Sequence, residues 1–276
     1  MKKLLQFSVI ALMFSFSFAF SQSIHPTSRE MGSGTRGAFV DIFDVKKQIG
    51  SKKIDAISKK AEVTNSTGVM ITTVANSKNA IGYISLGSLN DSIKALKIDG
   101  VAASVANINN KSYQIYRPFN IVIKKKNPLI EDFLSYVKSK NAVSIIEKAG
   151  YIATNKSDFS STKPQGKLVI AGSSSVTPLM EKLKESYEKL NPNAVLEILQ
   201  SDSTTGINST LEGIADIGMV SRDVKDSEVK KGLEVQILAL DGLAVIVNKS
   251  NKIDNISKEN VKKIFLGEIT TWDEVK

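Results

Sequence analysis

Three turns in this chain place serine, threonine and glycine just before a helical pattern. They are Gly32-Ser33-Gly34-Thr35, Gly172-Ser173-Ser174-Ser175-Val176 and Ser201-Asp202-Ser203-Thr204-Thr205-Gly206. The chemistry open to such a turn is anion binding. The first amides of a helix have no acceptor within the helix, the helix dipole is positive there, and small hydroxyls add donors. Serine and threonine are also good helix caps anywhere, so one turn alone says little. Three of them, with Arg29 close to the first, point to a site built from several helix starts.

Other chemistries fit less well. Gly32 to Gly37 matches G-x-G-x-x-G, but a dinucleotide site needs an apolar strand before the glycines and an acid ending a second strand. The preceding segment is polar and contains Pro26, and the nearest later acid, Asp55, lies among lysines. No G-x-S-x-G elbow occurs, and the one histidine, His25, lies close to the start of the polar sequence. The chain has no cysteine, which excludes disulfides, thiolate metal sites, a cysteine nucleophile and a lipidated N-terminal cysteine. One histidine excludes a multi-histidine metal site and weakens any serine triad. The expectation is a binding protein, not an enzyme, with no cofactor and no metal.

The elements that must position these turns alternate strand and helix. Ala80 to Gly87 predicts a buried strand, and Leu129 to Lys140 carries Leu129, Phe133, Leu134 and Val137 at helical spacing. Leu168–Ala171, Ala194–Leu199, Ala215–Val220 and Leu243–Val247 are apolar strand patterns. Helices are predicted over Thr177–Leu190, stopped by Asn191-Pro192, over residues 207–214, which include Leu211 and Ile214, and over Ser257–Phe265. Arg36–Ile49 is predicted as a helix through Phe39, Ile42 and Phe43, with Gly50 as its stop. The alternation predicts an α/β fold with mostly parallel sheets. Residues 153–167 form a polar linker between the halves.

Charge and targeting complete the reading. The chain of 276 residues has 37 Lys+Arg against 28 Asp+Glu. Its lysine doublets are scattered, without the focused basic face and interleaved aromatics of a nucleic-acid binder. Such a diffuse field favours small anions. Met1-Lys2-Lys3 followed by the apolar run to Phe20 predicts a signal peptide over 1–21, cleaved after Ala19 or Ser21. Removing it leaves a net charge of about +7.

Several motifs together resemble one family. Ser28-Arg29-Glu30-Met31-Gly32-Ser33-Gly34-Thr35-Arg36, Ala80–Leu89, Ile98–Val101, Arg117-Pro118-Phe119, Ala171–Leu183, Ala215–Lys225, Asp241–Asn248 and Ile264–Trp272 closely resemble segments of the phosphate-specific substrate-binding proteins of ABC importers. The resemblance covers nearly all of the chain after the signal segment. Its order differs: in that family the Ala171–Leu183 segment opens the mature protein, and the Ser28–Arg36 segment comes past the middle. The chain therefore looks circularly permuted, with 153–167 joining the usual termini. A fragment of a tandem array, with halves completed between chains, is the competing account.

The resemblance implies a two-lobe periplasmic-binding-protein fold, type II-like, with a hinge and an interlobe cleft. With crossings placed near Gly87 and Leu240, residues 24–86 plus 241–276 would form a split lobe and 87–240 a continuous one. It implies a monomeric periplasmic receptor, without nucleic acid, that captures inorganic phosphate by lobe closure and delivers it to a membrane permease. By motif position Arg29 would supply the cationic contact. Ser33, Gly34 and Thr35 would donate from one lobe, and Ser175, Val176 and Ser203 from the other. Ser221 stands where some members have a proton-accepting aspartate, which leaves sulfate or molybdate as alternative ligands. An interaction protein that kept the fold and lost transport is a further alternative.

Overall fold

The computed structural model describes residues 22–275; the predicted signal segment 1–21 lies outside them. Strand β1 (His25–Arg29) leads into α1 (Gly34–Ile42), the hairpin β2 (Lys46–Ile49) and β3 (Lys52–Asp55), β4 (Glu62–Thr64), α2 (Thr67–Asn76) and β5 (Ala80–Ser85). The short strands β6 (Ile93–Ala95) and β7 (Lys97–Ile98) and helix α3 (Val105–Asn109) precede β8 (Tyr116–Ile123). Next come α4 (Pro128–Val137), α5 (Lys140–Lys148), β9 (Gly166–Ser173), α6 (Thr177–Leu190), β10 (Ala194–Ser201), α7 (Ser203–Glu212), β11 (Ile217–Val220) and α8 (Asp226–Val229). The long β12 (Glu234–Asn248), then β13 (Asn255–Ile256) and α9 (Lys258–Leu266), complete the fold.

Local chemistry explains the helix boundaries. Asn127 caps α4 through the Ile130 amide at 2.8 Å, and Pro128 fills the first turn, where no amide is needed. In α6 the face Leu179, Met180, Leu183 and Tyr187 is buried. Two predictions differ. The helix expected over 207–214 is α7, which starts four residues earlier at Ser203 behind the Asp202 cap and ends before Gly213, with φ 77°. The helix expected over Arg36–Ile49 ends at Ile42, because the apolar spacing stops at Phe43 and Asp44 turns the chain with φ 51°. Lys46–Ile49 then pairs as a strand with Lys52–Asp55, turning at Gly50 with φ 57°.

The main sheet runs β10-β9-β11-β8-β12-β5-β1-β4. Its flanks are parallel, but β8 and β12 run antiparallel to their neighbours. The expected mostly parallel sheet is therefore mixed, with the exception at its centre. The two larger apolar cores flank that centre. The first gathers Phe39, Tyr83, Ile98, Tyr113, Ile115, Leu243 and Phe265, with the Phe39 and Tyr83 rings stacked at 3.9 Å. The second gathers Phe119, Phe133, Tyr136, Leu168, Leu183, Tyr187 and Ala239.

β12 belongs to both cores: it pairs with β8 from Glu234 to Gly242 and with β5 from Leu243 to Val247. The other passage between cores falls at Ile115–Phe119, not near Gly87 as the sequence suggested. After β5 the chain turns back, and β6 pairs with Ile246–Asn248 of β12, which keeps Leu96, Ile98 and Ile108 in the first core. The 153–167 segment does not float free. Asp132 of α4 accepts bonds from the Ser161 hydroxyl and the Thr162 amide, and Phe159 packs on the core. The described ends meet as a seam, where Ile24 N–H donates to Thr270 O at 2.7 Å and Trp272 N–H to Gln22 O at 2.9 Å.

Candidate functional site

Five carboxyl ends of strands, those of β1, β4, β9, β10 and β11, open onto one region where the two cores face each other. In open α/β sheets this is where ligands bind, because each strand end hands the chain to a helix start whose amides point outward. Here those starts belong to α1, α2, α6 and α7.

From the first core come Arg29 at the end of β1, Thr35 in α1 and Thr67 at the first position of α2. From the second come Ser173, Ser174 and Ser175 after β9, Ser203 at the start of α7 and Ser221 after β11. Arg29, Thr35, Ser175, Ser203 and Ser221 are each at most 2% exposed. The hydroxyls meet directly. Thr35 Oγ1 lies 2.8 Å from Ser175 Oγ, and Thr67 Oγ1 lies 3.0 Å from the same atom. Ser173 donates to Ser221 Oγ at 2.9 Å, and the Ser221 amide donates to Ser203 Oγ at 3.0 Å. Because a hydroxyl both donates and accepts, these pairings can be exchanged for bonds to an anion without stranding a charge.

Arg29 spans the boundary: its Nη2 donates to Ser174 Oγ at 3.1 Å and its Nη1 to Thr67 Oγ1 at 3.4 Å. Glu30 holds it from the other side through two bonds of 2.8 Å. The chain has only four arginines, and all four lie around this region, at most 8% exposed. Each pairs with a carboxylate: Arg29 with Glu30, Arg36 with Asp55, Arg117 with Asp241, Arg222 with Glu228. Arg36 donates to the Arg29 carbonyl at 2.8 Å, and the Tyr83 hydroxyl accepts from the Arg29 amide at 3.2 Å. Burial pushes the Tyr83 phenol up to about 12, so it stays neutral there.

The residues named from the sequence occupy distinct positions in the structure. Ser33 caps α1 through the Arg36 amide, leaving Gly34 and Thr35 as amides without an in-helix carbonyl. Gly34 is packed so closely that a Cβ would lie 2.3 Å from Ser203 Oγ. Val176 stands apart: its side chain is in the core and its amide donates to the Ser173 carbonyl at 3.0 Å. Asp202 caps α7 through the Thr204 and Thr205 amides. Thr67 escaped the sequence reading, and Ser173 and Ser174 were read as part of their turn without a role of their own. The signal for Thr67 was present, since Ser66-Thr67-Gly68 is a fourth small hydroxyl turn before a helix.

Gly172 makes the Ser173–Ser175 turn possible. Its φ is 135°, and a Cβ would sit 2.4 Å from the Met219 carbonyl oxygen. Gly172→Ala is expected to destabilise the fold by roughly 3 kcal/mol or more, from backbone strain plus overlap. Urea unfolding measures it; a loss below about 1 kcal/mol would contradict this packing.

Among the described residues no group of three or more His, Asp or Glu side chains could hold a metal, and no helix is long and apolar enough to cross a membrane. A PBP superfamily domain model matches residues 17–141 and 158–276. The chain is 50% identical over 257 residues to a phosphate-binding protein PstS 2 of Streptococcus agalactiae, covering 92% of this chain and 88% of that one. A crystal structure of a phosphate ABC transporter phosphate-binding protein from Streptococcus pneumoniae superposes with a TM-score of 0.72 at 44% identity, covering 92% of this chain and 100% of that one. A phosphate-binding protein PstS of Staphylococcus haemolyticus matches at 38% identity, but over 111 residues, 38% of this chain and 35% of that one.

Proposed function

The chain belongs to the PBP superfamily, and within it to the phosphate-binding proteins of ABC transporters; from this we propose that it captures inorganic phosphate between its two cores and hands it to a membrane permease. The carrying observation is the buried hydroxyl cluster, fed by four helix starts and crossed by one arginine. Most of the donors are neutral, which suits a multiply charged anion that must also be released, and Arg29 adds a single cation already paired with Glu30. Closure would remove water and strengthen each of these bonds. The protein is a receptor and not an enzyme.

The two bodies that close are residues 22–115 with 243–275, and 119–240, hinged at the two chain passages. A location outside the cytoplasm, a monomeric state and a permease partner follow from the same reading. The circularly permuted order is part of it. The S. agalactiae relative aligns over 92% of this chain and 88% of its own, whereas the S. haemolyticus one aligns over 38% of this chain and 35% of its own. The adjacent ends at the Gln22–Trp272 seam further support it.

Titration calorimetry with phosphate, sulfate and molybdate tests the ligand. Phosphate is expected to bind at least about tenfold more tightly than either competitor. Sulfate binding as tight as phosphate would overturn the phosphate reading. One observation favours that outcome: Ser221, a hydroxyl and not a carboxylate, occupies the centre of the cluster, so only hydroxyl oxygens there would accept the proton of hydrogen phosphate.

A further inference from the structure

One buried ion pair lies outside the hydroxyl cluster yet touches it. Arg117 of β8 and Asp241 of β12 stand opposite each other in register, at the point where β12 changes partner from β8 to β5. Both are at most 2% exposed. Arg117 Nε and Nη2 donate to Asp241 Oδ2 at 3.2 and 3.1 Å, while Nη1 donates to the Ser221 carbonyl at 3.0 Å. On the far side Asp241 Oδ1 accepts from Ser85 of β5 at 2.8 Å. The polar chain Ser221–Arg117–Asp241–Ser85 therefore runs from the end of β11 across β8 and β12 to β5, neighbours in sheet order, and passes through both chain crossings.

We propose that Arg117, held by Asp241, is a positioning residue for anion capture: it fixes the Ser221 peptide to the hinge, so that lobe closure and the placement of the Ser221 hydroxyl are one event. The inference rests on the receptor reading above. Three features single out this pair. Its guanidinium is oriented by the Phe119 ring, 5.3 Å from the ring centroid. It lies near enough to Arg29 for the two cations to repel, and Asp241 offsets that charge. Burial raises the Asp241 carboxyl above its ordinary range and lowers Arg117, so the pair is expensive to keep in the interior. A buried pair of this kind is commonly replaced by apolar residues of similar size with little loss of stability, which leaves stability a weak reason for its presence.

The test compares the whole chain with Arg117→Met, with Arg117→Met combined with Asp241→Leu, and with Arg117→Lys, reading thermal midpoint and phosphate affinity together. The single Met variant strands a buried carboxylate and is expected to lose thermal stability. The double variant is expected to regain the midpoint yet bind phosphate about ten- to a hundredfold more weakly, because Ser221 has lost its anchor. Recovery of both properties together would make the pair merely structural and overturn the proposal. Arg117→Lys keeps the charge but cannot span Asp241 and the Ser221 carbonyl with one ammonium; it is expected to fold and to weaken binding about tenfold. Wild-type affinity in this variant overturns the proposal even if the double variant fails to fold. An unmodified chain that binds no phosphate would overturn the receptor reading and this inference with it, whereas normal binding by every variant would overturn the inference alone.

Discussion

Arg29→Ala is expected to weaken phosphate binding on the order of a thousandfold while leaving the fold intact, as read by titration calorimetry beside a thermal melt. The size follows from two losses that add. The first is the removal of the one guanidinium that spans the cores, with its charge-assisted bonds. The second is that Glu30, now held by two 2.8 Å bonds, would face the incoming anion unpaired. Adding Glu30→Gln should therefore recover part of the affinity, which loss of a contact alone would not produce. Folding should survive because Glu30 keeps solvent contact and the cores do not depend on Arg29. An affinity within about threefold of the parent would remove Arg29 from the site.

Gly34→Ala is the complementary experiment, since it adds a methyl and removes nothing. The new Cβ would lie 2.3 Å from Ser203 Oγ, 2.7 Å from Ser221 Oγ and 3.0 Å from Ser203 Cβ, all on the opposing core. Its own helix would gain, because alanine is a better helix former than glycine by about 1 kcal/mol. The expected outcome is a chain as stable as the parent or more so, binding phosphate at least about a hundredfold more weakly because the cores cannot meet. Small-angle scattering with saturating phosphate should show the parent compacting and the variant not. Normal affinity with normal compaction would mean that closure does not bring Gly34 against Ser203.

How much of this was legible in the sequence depended on whether the cause was local. The extent of α6 was readable because its start, apolar stripe and Asn191-Pro192 stop all lie within the segment. Gly34, Thr35 and Ser203 were readable as residues because each sits in a turn that has its own chemistry, and Arg29 through the family motif that contains it. Their convergence was carried by the family resemblance, because no spacing along the chain says that Thr35 touches Ser175. The helix over Arg36–Ile49 failed where the apolar spacing ended and lysines with good helix propensity joined a hairpin instead. The antiparallel centre of the sheet was hidden because β12 is a single apolar run whose two ends serve different cores. Arg117 and Asp241 lay within recognised motifs, but their pairing across strands is a matter of register.

The seam between the described ends has a mechanical consequence. A load applied at Gln22 and Trp272 would be taken up by the backbone hydrogen bonds that join their neighbourhoods, within one of the two moving bodies. In the two-body reading proposed above, the chain passes to the other body only next to β8 and within β12. Tension at the ends therefore shears the seam before it reaches the hinge. A tether attached there would fix one half of the molecule in space and leave the other free to swing.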